Sequence, residues 1–181
     1  MSFFRSLQNT PATVSIFHNA RVPTSAHVYA NLERAYYKLN DDKNQFQIDL
    51  VAKEMPTYSQ FKMIYSQCVH SEQSKNALKA AFPLLNDKLT MSKDARITFK
   101  ALGMNNERGL RVFSENEYEK IHEAYTELVN QKEPDFDPSL VFRAPLLVDW
   151  DQNLIACNEE GLDLILQKYR PEETNEHLSP A

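Results

Sequence analysis

The residues of this chain best suited to covalent chemistry are its two cysteines, because a thiolate is both a nucleophile and a redox centre. Cys68 is followed two residues later by His70, and a histidine close to a thiol can lower the pKa of that thiol. A lone, accessible thiolate would suit a peroxidatic or glutathione-linked mechanism. Cys68 is therefore the candidate catalytic residue.

A structural role for both thiols competes with this interpretation and is the preferred one. Cys68 falls at helical spacing on the same stripe as Phe61, Ile64 and Tyr65, and free cysteine is among the most commonly buried residues. The carboxyl end of a helix also raises the pKa of a thiol, because the partial negative charge there disfavours thiolate. We expect Cys157 to be structural as well.

Metal and cofactor chemistry is not indicated. The two cysteines have neither CxxC nor zinc-ligand spacing, and the five histidines share no helix face with carboxylates. The sequence predicts no metal site, no cofactor and no disulfide framework.

Composition excludes several function classes. The 181 residues carry a net charge of −5 and 42% hydrophobic side chains, which fits one soluble domain with a single core. Apolar runs are shorter than the ~18 residues of a membrane-spanning helix. Basic residues are interleaved with acidic ones, and even the locally basic region 93–111 is better explained as a solvated face than as a docking surface for an acidic partner or anionic lipid. We expect no transmembrane segment and no nucleic-acid partner.

The amino-terminal region is poor in acidic residues. The first one is Glu33, and Arg5, Arg21 and several hydroxyl residues precede it, a composition typical of a mitochondrial transit peptide. A strand that begins near Thr13 leaves little room for a cleavable presequence. Mitochondrial import and a chance absence of acidic residues both remain open from composition.

Patterning predicts the elements that would position these side chains. Residues 13–18 and 46–51 alternate like strands, and residues 24–39 have apolar positions at helical spacing, so the chain opens with a β-α-β unit. Capping-box spacing predicts one helix start at Thr57 and another at Ser114. An insertion at about 70–130 is predicted to be mainly helical, with a helix near 77–85, and residues 171–181 are predicted to form a polar, flexible tail.

A proline-led hairpin closes the chain. Pro145 precedes predicted strands at 145–149 and 153–156, and Asn158 is placed to cap an amphipathic helix. Trp150 at the turn either covers the sheet, which is preferred, or anchors a partner. This order is typical of the end of a thioredoxin-like domain. The fold prediction is one α/β domain, residues 1–170, with a mixed four-stranded sheet flanked by helices and the helical insertion before its third strand.

Three segments carry a resemblance: Met1-Ser-Phe-Phe-Arg-Ser-Leu-Gln8 with Val14-Ser-Ile-Phe17, Phe46-Gln-Ile-Asp-Leu50 with Met55-Pro-Thr-Tyr58, and Pro145-Leu-Leu-Val-Asp-Trp150. Together they resemble a small fungal family of mitochondrial redox proteins with a thioredoxin-like fold, over roughly residues 1–68 and 143–170. The chain is more distantly similar to arsenate-reductase-like domains, whose Arg-Pro hairpin entry Arg143-Ala-Pro145 matches with one residue inserted.

The resemblance implies reduction of small oxidised molecules by a cysteine, with Pro145 as a cis-proline beside the substrate groove. The likeness to arsenate-reductase-like domains implies an attacking thiol at the start of the first helix, where this chain has Val22. The fungal family also lacks that thiol, and the resemblance implies an active cysteine ahead of the Pro-to-Trp hairpin instead. This chain has no cysteine between residues 69 and 156. Two functions follow. One is a mitochondrial oxidoreductase acting through Cys68, and the other is a non-catalytic, protein-binding or structural subunit of a mitochondrial assembly.

Overall fold

The computed structural model describes residues 10–41, 45–85, 104–105 and 111–171. Its strands are β1 (Ala12–His18), β2 (Phe46–Ala52), β3 (Met104–Asn105), β4 (Arg111–Val112), β5 (Leu146–Asp149) and β6 (Leu154–Ala156). Its α-helices are α1 (Pro23–Leu39), α2 (Tyr58–Gln67), α3 (Glu72–Ala81), α4 (Glu115–Asn130) and α5 (Glu159–Leu166).

Four of these strands form one mixed sheet in the order β2-β1-β5-β6. Strand β1 pairs in parallel with β2 and antiparallel with β5, and β5 pairs antiparallel with β6. The short strands β3 and β4 pair separately. The sheet has the predicted thioredoxin-like topology, with strand bounds within one residue of those expected from the alternating pattern.

Helices cover both faces of the sheet, as predicted. On one face, α1 and α5 enclose a core that includes Val14, Leu32 and Leu162. On the other, α2, α3 and α4 enclose a larger, aromatic-rich core in which the rings of Phe61 and Tyr118 stack at 4.8 Å. Each helix therefore contributes one apolar stripe and leaves its other side to solvent.

The predicted helix starts are confirmed in atomic detail. Thr57 and Ser114 each accept a hydrogen bond from the amide three residues on, and each belongs to a reciprocal capping box. Asn158 Oδ1 accepts the Gly161 amide at 2.8 Å. These interactions lie within four residues, which is why the sequence alone reveals them.

The described part of the insertion is mainly helical, as predicted, but the bounds expected for its first helix were wrong. Helix α3 begins at Glu72 rather than near residue 77, because Ser71 and Ser74 form a capping box that lacks the usual Glu or Gln. It ends at Ala81, since Pro83 cannot continue an α-helix and a 3₁₀ turn, Pro83–Leu85, follows. Most of the basic region 93–111 and the tail from residue 172 lie outside the described residues.

Among the described residues, no helix is both long and apolar enough to cross a bilayer.

Candidate functional site

The end of β1 and the start of α1 meet the beginning of β5 at one edge of the sheet. Phe17 pairs with Leu146, so the next positions, His18 and Pro145, also lie side by side. The Ala144–Pro145 bond is cis, which confirms that part of the expectation. We call the group formed by His18, Asn19, Val22, Ser25 and Pro145 the β1–α1 edge.

Val22 occupies the helix N-cap, the position where the resemblance places a thiol. Its backbone is extended, with φ −95° and ψ 113°, and its side chain makes no capping hydrogen bond. Pro23 follows at the first helical position and has no N–H to donate. The edge therefore presents a half-buried isopropyl group and an uncapped helix terminus, whose partial charge is positive.

Ser25 lies one turn further along α1 and is fully buried. Its Oγ lies 2.7 Å from His18 Nδ1 and accepts the Asn19 amide N–H at 3.1 Å. Burial lowers the pKa of His18, and a hydrogen bond with the backbone of Ser25 opposes this in part. The sequence reasoning missed this pair, although the spacing Val22-x-x-Ser25 after a strand was a signal that could have revealed it.

Helix α4 of the insertion packs against the same edge. The Asn19 side chain hydrogen-bonds to Tyr125, a buried residue whose pKa burial raises to about 12. Arg21 Nη1 donates to the Gln131 carbonyl oxygen at 2.8 Å, just beyond the end of α4. The insertion thus fixes the turn between β1 and α1 from outside the sheet.

Cys68 lies elsewhere. It caps the carboxyl end of α2, is only 1% exposed, and packs in the core beneath α2, α3 and α4. Burial raises its pKa to about 11, and the negative charge of Asp149 acts in the same direction. Asp149 pairs with Val14, whereas the β1–α1 edge begins after the pair Phe17–Leu146, three positions further along β1. Cys68, which interacts with Asp149, is therefore near the opposite end of the sheet. Its catalytic role stays a prediction that this geometry does not support.

Cys157 is the cysteine nearer to the β1–α1 edge. Ala156 pairs with Leu147, so Cys157 follows β6 at the end of the sheet where β5 begins. Burial raises its pKa, whereas the positive charge of Arg143 lowers it. Arg143 is exposed and is held by its amide, which donates to the Ala81 carbonyl at 2.9 Å. Both cysteines are free thiols.

A buried polar network occupies the far end of the sheet. The fully buried carboxylate of Asp149 accepts hydrogen bonds from Tyr169 Oη and Gln152 Nε2, both at 2.6 Å, and from the amides of Asp151 and Gln152 at 3.0 Å. Nearby, Trp150 Nε1 donates to Ser15 Oγ at 2.8 Å, so Trp150 covers the sheet, in line with the preferred interpretation. These contacts order the hairpin turn.

Comparison with known proteins identifies the family and no individual relative. No curated protein matches the chain, and no solved structure matches it. A family model described as a protein of unknown function, DUF1687, matches residues 4–158. Since the match spans most of the sequence, the chain belongs to the DUF1687 family.

Proposed function

We propose that this chain is a non-catalytic, thioredoxin-like module that binds a protein partner in mitochondria through the β1–α1 edge. One observation carries the proposal: Val22 stands at the helix start, where arsenate-reductase-like enzymes have their attacking thiol. Beside Val22, Ser25 is hydrogen-bonded to His18 at the end of β1, next to the start of β5. A thioredoxin-like helix start without a nucleophile favours binding over electron transfer.

The pKa values of the native thiols support the same choice. With a pKa of about 11, roughly one Cys68 thiol in ten thousand is ionised at pH 7. Burial also raises the pKa of Cys157. Because the thiolate is the reactive form, neither cysteine is activated for attack.

The charges at the edge favour a partner that presents a carboxylate. The uncapped terminus of α1 carries partial positive charge, and no acidic residue lies in its first turn. Arg21 and Arg143 add two exposed cations in the adjoining segments. An acidic, extended segment of a partner protein would complete the hydrogen bonding of this terminus.

The second candidate is the mitochondrial oxidoreductase of the fungal family, acting on small oxidised molecules. It is favoured by the resemblance and by the position of Cys157 at the same end of the sheet as Pro145. The positive charge of Arg143 also opposes the rise that burial causes in the pKa of Cys157. In this alternative the attacking thiol is Cys68, as the sequence suggested, or Cys157.

Thiol labelling distinguishes the two functions. We expect iodoacetamide to modify both cysteines of the folded protein near pH 7 far more slowly than those of the urea-unfolded chain, because thiolate is scarce in the folded state. The variants Cys68→Ser and Cys157→Ser show which labelling rate belongs to which cysteine. Rapid labelling of either thiol in the folded protein would support the oxidoreductase and contradict the proposal.

Binding is tested separately with Val22→Asp. An aspartate here caps α1 through its own carboxylate and takes the place of a partner carboxylate, so the variant should be at least as stable as the parent yet lose its partner. The measurement is the native size of the protein in mitochondrial extract. Met63→Asp, at an exposed apolar position on α2, is the control and should keep its partner. A parent chain that migrates as a monomer would contradict the proposal.

A further inference from the structure

A second cleft lies away from the β1–α1 edge, between α1 and α5. It has a volume of about 340 Å³, within the range of small-molecule sites. Ala35, Leu162 and Leu166 form its apolar floor. Arg34, Lys38 and Arg170 stand at its rim with Asn31, Glu159 and Asp163.

The carboxylates at this rim already have partners. Glu159 Oε1 lies 2.7 Å from His27 Nε2 and also accepts from Asn31 Nδ2. Asp163 Oδ1 pairs with Arg170 Nη2 at 3.0 Å. Asp163 is thus balanced by a cation, whereas Glu159 contacts a histidine, which is charged only when protonated, and a neutral amide.

The cleft is lined by three cations and two carboxylates, so its rim carries a net positive charge. Arg34 and Lys38 are four residues apart on one helix and exposed, and neither forms an ion pair with another described residue. Arg34 makes one long hydrogen bond, 3.4 Å, to Asn31 Oδ1. A local positive charge in a chain of net charge −5 marks a place for an anion.

We propose that this cleft binds a small organic phosphate. Arg34 would supply a planar pair of donors to the phosphate oxygens and Lys38 a point charge, the usual division of work between these residues at phosphate. The apolar floor of Ala35, Leu162 and Leu166 would contact the organic part. This site is independent of the partner binding proposed for the β1–α1 edge.

Titration of the full chain with phenyl phosphate, followed by amide chemical shifts, tests the assignment. We expect saturable shifts in residues 31–38 and 162–170 with a Kd below about 1 mM, and weaker binding of inorganic phosphate and of phenol. Equal affinity for inorganic phosphate and phenyl phosphate would overturn the proposal that the apolar floor contacts the organic part of the ligand. If the protein sediments with phosphatidic acid vesicles but does not bind phenyl phosphate, the cleft belongs to a membrane-binding surface and the proposal is overturned.

Charge variants supply the second arm. Arg34→Gln with Lys38→Gln should weaken phenyl phosphate binding roughly tenfold or more, because both charge-assisted contacts are lost. Lys62→Gln with Lys120→Gln removes two exposed cations on other helices and should leave the Kd unchanged.

Asp163→Asn should act in the opposite direction. It removes a carboxylate from the rim and releases Arg170, so phenyl phosphate should bind several-fold more tightly. A merely structural role for the Asp163–Arg170 pair would not produce this gain. Weaker binding by this variant, in a protein with unchanged thermal stability, would overturn the proposal.

Discussion

The imidazole of His18 and the hydroxyl of Ser25 form a buried hydrogen bond of 2.7 Å that ties the end of β1 to the first turn of α1. Because Ser25 Oγ also accepts the Asn19 amide, its own proton is available to Nδ1 of a neutral imidazole. The contact therefore couples the geometry of the β1–α1 edge to the charge of one histidine.

This coupling predicts a stability that falls on mild acidification. Burial lowers the pKa of His18 below its usual 6.5 in the folded state, so just below pH 6.5 the unfolded chain binds more protons. The contribution of neutral His18 to the free energy of unfolding is present above pH 6.5 and is lost as the pH falls. The free energy of unfolding in urea should thus be lower at about pH 5.5 than at about pH 7.5.

The matched variants are His18→Asn and His70→Asn. The first should flatten the pH dependence, whereas the second changes an exposed histidine and should preserve it. An unchanged slope in His18→Asn would show that another group is responsible.

A thiol restored at the helix start should be reactive. In a Cys68→Ser, Cys157→Ser background, Val22→Cys places sulfur at the N-cap of a 17-residue helix, where partial positive charge stabilises thiolate. We expect its pKa, measured from the pH dependence of iodoacetamide labelling, to lie below 8.5. The Cys157→Ser variant, which keeps Cys68 as its one thiol, is the comparison. A pKa at or above that of an ordinary thiol would mean that the edge lacks the expected electrostatics.

The hydroxyl of Tyr169 stabilises a fully buried carboxylate. Its 2.6 Å hydrogen bond to Asp149 Oδ2, together with burial, raises the pKa of Tyr169. Tyr169→Phe removes this donor and should lower the free energy of unfolding by about 1–3 kcal/mol. Tyr37→Phe, at a side chain 68% exposed, should change it little. Equal stabilities of the two variants would contradict a role for the network in stability.

Gly161 is required by packing rather than by backbone conformation. A Cβ built there would lie 2.6 Å from Ala156 Cβ and 3.2 Å from Ala156 Cα, on the facing strand. Gly161→Ala should therefore be destabilising by about 1 kcal/mol or more, because overpacking outweighs the better helix propensity of alanine. Thermal unfolding measures this effect. Adding Ala156→Gly should recover part of the loss, and no recovery would place the cause elsewhere.

The predictions from the sequence succeeded where the signal was local or periodic. The alternation in β1 and β2 and the capping boxes at Thr57 and Ser114 involve residues close in the chain, so propensity and hydrogen bonding act directly. The same reasoning misplaced the start of α3, since Ser74 is an uncommon partner for the capping residue Ser71. Ser25 was missed because its partner His18 belongs to a different element.

By itself, the sequence determined the thioredoxin-like order of elements and the presence of Val22, not a cysteine, just before the first helix. Only the tertiary structure decided which cysteine approaches the candidate site. Strand register brings Cys157 to the end of the sheet shared by Pro145, whereas the direction of α2 carries Cys68 toward Asp149, 81 positions away in the chain. Burial and long-range electrostatics set the chemistry of a thiol, and both depend on neighbours that sequence spacing does not specify.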